Sequence, residues 1–252
     1  MSAAGKTVSG CQMKSNKEEE VMTETTVQPS PGMGHGDFVI KDCALIAIAT
    51  GSRAMTLKEL RDGLRTIDEA SIFYHFWGGL LQPRFEEREY NNDFAAWAWY
   101  HLHDATLAER MAVIDPIGFA SLEALRGELL DIIEERLDEE EYLPWLQATS
   151  PFEFIRSQIV VFDTHKRAAS PEELVRLFPD ISASSIFYHF IDARRRLSHH
   201  GNDFSFWLAG FDGRYQELCN RLNGIDPYFG SLTDLKSELN DLFQEYFREV
   251  VI

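Results

Sequence analysis

Six residues occur twice in this chain, Ser71-Ile72-Phe73-Tyr74-His75-Phe76 and Ser185-Ile186-Phe187-Tyr188-His189-Phe190, and 185 − 71 = 114 positions separate the copies. An identical run of this length reads as an internal duplication. Aliphatic and aromatic side chains surround one imidazole and one phenol. Such a segment must be buried, and its polar tips must find hydrogen-bond partners. The constraint is on how the chain is built, and it leaves the activity open.

The correspondence extends on both sides. Phe38 matches Phe152, Ile40 matches Phe154, Ala47 matches Val161 and Thr50 matches Thr164, all at the offset of 114. Thr56-x-x-Glu59 and Ser170-x-x-Glu173 are capping boxes, the second strengthened by Pro171 at the first helical position. The helices they open present Leu57, Leu60 and Leu64, then Leu174, Leu177 and Phe178, as core faces. Asp68 and Ser182 can cap the helices that carry the hexapeptide. After a variable connection the offset falls to 202 − 92 = 110, where Asn92-Asp93-Phe94-x-x-Trp97 matches Asn202-Asp203-Phe204-x-x-Trp207. Asp93 and Asp203 are expected as N-caps there. Ile114-Asp115-Pro116 and Ile225-Asp226-Pro227 then break the helices, and a last helix begins at Ser121 and at Ser231.

The expected fold is mainly α: two tandem helical repeats of about four helices each, residues 38–142 and 152–252, joined by a linker at 143–151. The two halves are expected to superpose. The apolar runs Ala44–Ala49 and Ile159–Phe162 are too short for periodicity to separate short strands from helix ends. Residues 1–37, rich in Ser, Thr, Gly, Pro and Glu, read as a disordered tail with Met13, Met22 and Met33 as candidate internal starts.

A formal charge of −17 argues against nucleic acid and anionic membrane as partners, because both reward clustered Lys and Arg. Cys11, Cys43 and Cys219 are odd in number and widely spaced, which fits a reducing compartment and offers no zinc signature. With no long apolar run and no apolar leader, the chain reads as cytoplasmic.

Chemistry has few places to reside. His75 with Asp93, and His189 with Asp203, are candidate acid–base pairs, and each could equally be a hydrogen-bonded core pair. Adding Ser71 and Ser185 gives the residue types of a nucleophilic triad, but no G-x-S-x-G elbow exposes either serine. His101-x-His103-Asp104 is not matched in the second half, where Phe211, Asp212 and Gly213 stand, and His199-His200 is isolated. No metal or cofactor is expected. Tyr74, Trp97, Tyr188 and Trp207 beside fixed polar groups have the composition of a carbohydrate platform, or of core anchors whose polar tips are satisfied internally. Arg194 and Arg195, in the Arg194–Arg196 run, stand out in an acidic chain and could grip a phosphate or carboxylate.

The doubled hexapeptide, the N-D-F-x-x-W motif, the I-D-P break and the helix beginning S-L-x-x-L together resemble a bacterial family catalogued as domain of unknown function 5752, from Phe38 onward. The resemblance brings no activity with it. It implies relatives encoded alongside sugar-nucleotide and glycosyl-transfer enzymes, an association rather than a mechanism. The expected role is non-catalytic binding, as a regulatory partner of a sugar-metabolising enzyme, with a protein or a small polar ligand as the partner. The alternatives are an enzyme with twin His/Asp sites and a carbohydrate-binding protein.

Overall fold

Period-two burial organises the longest elements. Phe38 and Ile40 are buried in strand β1 (Phe38–Thr56), and Phe152 and Phe154 in strand β2 (Gln147–Ala168). The two pair antiparallel along most of their length into a two-stranded sheet. The computed structural model describes residues 36–81, 89–197, 201–227 and 230–250, all within the compact unit Gly34–Ile252. Most of the expected tail and of the Arg84–Glu89 stretch, with His199-His200, lies outside the described residues.

The helices follow in order. After β1 come α1 (Leu57–Leu64), α2 (Glu69–Trp77), α3 (Asp93–Trp97), a π turn at Ala98–Leu102, α4 (Ala105–Ala112) and α5 (Leu122–Glu139). After β2 come α6 (Pro171–Leu177), α7 (Ala183–Ile186), a π turn at Phe187–Asp192, α8 (Ala193–Arg196), α9 (Asp203–Ala209), α10 (Gln216–Asn223) and α11 (Leu232–Val250). Their starts are set by short polar side chains. Thr56 accepts from the Glu59 N–H while Glu59 reaches back to the Met55 N–H, and Ser170 and Glu173 repeat this with Ala169. Asp68 and Ser182 cap α2 and α7.

The expectation of a mainly α chain of two tandem helical repeats is overturned. Of the described residues 58% are helical and 20% are strand, in one domain-like fold. β2 begins at Gln147, inside the segment expected to be a linker. The two short apolar runs prove to be the middles of strands of 19 and 22 residues, drawn from opposite halves of the sequence. Their length was concealed because the burial pattern is clean only at the strand ends. Midway, one face of the ribbon packs on helices through Cys43, Leu45 and Ile159, while Ala44, Ile46, Val160 and Phe162 face outward.

Several bonds of the ribbon recur at the sequence offset. Leu45 pairs with Ile159, and 159 − 45 = 114. Register shifts flank that centre, with Gly51 at φ +80° and His165 at φ +61° in positions 114 apart. At the same offset Thr50 Oγ1 donates to the Phe154 carbonyl (2.7 Å) and Thr164 Oγ1 to the Ile40 carbonyl (2.5 Å). These are bulges that interrupt the ladder, and pairing resumes beyond each, as far as Thr56 with Gln147 at one end and Phe38 with Ala168 at the other. The buried ends, Ala54 and Leu57 after one bulge and Phe38 and Ile40 beyond the other, anchor the ribbon in the core.

Candidate functional site

Each hexapeptide histidine is held at both ring nitrogens. His75 Nδ1 lies 2.9 Å from Asp93 Oδ2, and its Nε2 accepts from the Ile155 N–H at 3.1 Å. His189 Nδ1 lies 2.7 Å from Asp203 Oδ2, and its Nε2 accepts from the Lys41 N–H at 2.9 Å. Again 155 − 41 = 114. A backbone N–H can only donate, so each ring is the neutral tautomer with its proton on Nδ1, facing the carboxylate. Both rings are about 97% buried. The strand donor in each case comes from the other half of the sequence, and so does the ring each imidazole packs on: Phe152 for His75 (4.6 Å) and Phe38 for His189 (5.0 Å).

Asp93 and Asp203 are not the N-caps the sequence suggested. Asn92 and Asn202 are, accepting from the Ala95 and Ser205 N–H groups. One residue into the helix, each Asp is released to hold its histidine. Trp97 is buried and donates its indole N–H to the Ser150 carbonyl, and Trp207 donates to Gly36, both at 2.9 Å. Tyr74 and Tyr188 are buried. Ser71 Oγ bonds to none of the described residues, while Ser185 Oγ accepts from Ser182. His75 therefore has no nitrogen left for Ser71. His103 takes a left-handed φ of 58° and ends the first π turn, and His101 Nδ1 sits 3.4 Å from Thr149 Oγ1. Among the described residues no group of three or more His, Cys, Asp or Glu side chains could hold a metal, and no helix is long and apolar enough to cross a membrane.

At the second centre the described residues include an arginine network. Asp192, 1% exposed, takes Nε and Nη2 of Arg195 on one oxygen (3.1 and 2.9 Å) and Arg196 Nε on the other (2.8 Å). Arg196 also donates to Asp203 Oδ2 and to the Tyr188 carbonyl, both at 2.9 Å, with its guanidinium 4.0 Å from the centre of the Tyr188 ring. Burial pushes the Asp203 carboxyl up, but the His189 hydrogen bond and the Arg196 charge outweigh it and hold the group below the usual range. Burial likewise raises the Tyr188 phenol.

Beside this network a cavity of about 290 Å³ opens between α2, the N-terminal end of α5 and α8, with Arg194 and Arg195 in its wall. The sequence pointed to the two arginines. Their neighbours there, Phe73 and Trp77 from the first half and Phe119 and Leu122 before and within α5, come together only through the fold.

A solved structure similar to this chain is that of OrfY from Thermoproteus tenax, 29% identical, with a TM-score of 0.73, covering 83% of this chain and 95% of that one. No curated protein matches the chain. The match to a family model over residues 35–244 places the chain in the family of unknown function DUF5752.

Proposed function

We propose that this protein acts by binding, as a non-catalytic regulatory partner, and that its His/Asp centres hold the fold together. One observation carries the reading. All four nitrogens of His75 and His189 are already engaged, two with carboxylates and two with strand N–H groups. A general acid or base needs an atom within hydrogen-bond reach of a substrate, and neither ring has one to offer. The indole N–H groups of Trp97 and Trp207 are likewise occupied by carbonyls, which speaks for anchoring rather than a sugar platform. The ligand-facing groups in this reading are Arg194 and Arg195 at the cavity. The setting is cytoplasmic, and a sugar-metabolising enzyme is the partner to test first.

The test is to incubate the purified protein with a small-molecule extract and follow each component by mass spectrometry. Retention of a component up to the molar amount of protein is expected, without turnover. Catalytic depletion of any component that is lost in His75→Gln or His189→Gln, with the fold intact by circular dichroism, would sink the proposal.

A further inference from the structure

The duplicated sequence contains its own control. Subtracting 114 from 192, 194 and 195 gives 78, 80 and 81, where the first half has Gly78, Leu80 and Leu81. The first half thus builds its hexapeptide centre, with the same two histidine bonds, without Asp192, Arg194 or Arg195. The charged residues are therefore not required by the fold common to both centres.

What they build is a fixed cation at a cavity wall. Arg195 is held by Asp192 through Nε and Nη2, and its guanidinium lies 5.2 Å from the centre of the Phe73 ring. Phe73 in turn stacks on Trp77 at 5.0 Å with an interplanar angle of 18°. Among the described residues the Arg195 Nη1 has no partner, and the side chain is 46% exposed. An arginine so held loses little freedom when it meets an anion, and its planar fork suits carboxylate and phosphate oxygens. Arg194 lines the same space. So does Ser121, the N-cap of the 18-residue helix α5, whose positive end adds to the attraction. Leu122, Leu125 and Ile191 supply apolar wall. Glu69, exposed, is the one carboxylate among the lining side chains, and it disfavours a ligand of high negative charge.

We propose that this cavity binds a small organic anion, a single carboxylate or phosphate group on a compact apolar body, with Arg195 as the clamp and Arg194 beside it. A volume of about 290 Å³ is at the lower end for small-molecule sites, where a handful of polar groups orient a mostly apolar ligand. The assignment rests on the binding reading above and names its ligand class.

Benzoate and phenyl phosphate are the probes, with benzyl alcohol as their neutral counterpart, titrated into the full chain by calorimetry and ligand-observed NMR. One saturable site for at least one anion is expected, with benzyl alcohol at least tenfold weaker. Arg195→Gln should weaken the anion at least tenfold. Arg196 still partners Asp192 in that variant, which protects the fold. Ala120→Trp, at an exposed lining position, should block binding without touching either arginine. Failure of both anions to saturate, equal affinity for benzyl alcohol, or unchanged binding in both variants would each overturn the assignment. Turnover of a bound probe would instead overturn the non-catalytic reading and leave the site in place.

Discussion

The His75 and His189 centres share six identical residues, the same pattern of histidine bonds and a phenylalanine borrowed from the equivalent strand position, Phe152 and Phe38, yet their backbones differ. Around His75 the chain is α-helical through Trp77, and the Gly78 N–H bonds the Tyr74 carbonyl. Around His189 the turn widens to a π form, and the Ala193 N–H reaches back five residues to Tyr188. The difference begins just beyond the hexapeptide. A Cβ at Gly78 would lie 2.7 Å from the Tyr74 ring, whereas the equivalent position 192 carries a whole aspartate. Six identical residues thus accept two windings, and the residue two places beyond them discriminates. In the binding reading proposed above, what the centres have in common serves the fold, and Asp192 with Arg194 and Arg195, which Gly78, Leu80 and Leu81 replace in the first half, marks the place to look for function.

The largest expected effect tests the shared part. His75→Ala or His189→Ala strands one backbone N–H and leaves a void among aromatic rings, and each should cost about 3 kcal/mol. The distinguishing readout is amide exchange in the other half of the chain. His75→Ala should speed exchange at Ile155, and His189→Ala at Lys41. Protection unchanged at those two amides would mean that the halves do not support one another through the histidines.

Next in size is Gly78→Ala. The added methyl group meets the buried Tyr74 ring, and a loss of about 1–3 kcal/mol is expected. A variant as stable as the parent would show that the α winding around His75 has room for a side chain after all, and would remove the steric account of the two windings.

These contacts also mark what could be read from the sequence. The capping boxes at Thr56 and Ser170, the caps Asp68 and Ser182, and a carboxylate partner for each histidine were legible, because each depends on residues within about one to six helical turns in sequence. The strands were not. Ile155 is 80 positions from His75, and Lys41 is 148 from His189. No local pattern announces a backbone donor so far away. Sequence does not separate the caps Asn92 and Asn202 from the adjacent aspartates, since both residue types cap well and only the histidine's need for a carboxylate distinguishes them. The cavity was half visible. Arg194 and Arg195 stand out by charge, while nothing in the sequence brings Phe73 and Trp77 to them.

The acid limb of stability should belong in part to the second centre. The Asp203 carboxyl is held below its ordinary range in the folded protein, against the upward push of burial. A group depressed on folding contributes stability above its unfolded value, about 3.9, and loses that contribution as pH falls through the lower folded value. Arg196→Gln removes one of the charges that depress it. The variant should lose about 1 kcal/mol near neutrality, since both partners are partly solvated. Its acid unfolding should begin at higher pH. Coincident acid-unfolding curves for parent and variant would show that His189 alone sets the Asp203 carboxyl.

The smallest effect comes from a position where one half has sulfur and the other oxygen. Cys43 Sγ donates to the Ser184 carbonyl at 3.3 Å, and Ser157 Oγ donates to the Ala70 carbonyl at 3.2 Å. Both donor and acceptor positions are 114 apart. A buried cysteine replaced by serine ordinarily strands a hydroxyl among apolar neighbours. Here the acceptor already stands in place, and Ser157 makes the same bond with a hydroxyl. Cys43→Ser should therefore shift stability by no more than about 0.5 kcal/mol by urea titration. In the parent, burial first, then Asp192 and Asp42, push the Cys43 thiol up to about 12, so it should resist alkylation at pH 8 while the protein stays folded. A loss of 2 kcal/mol or more in Cys43→Ser would mean that the strand positions at 43 and 157 differ in packing despite their matching bonds, and that the likeness of the halves stops at the ribbon.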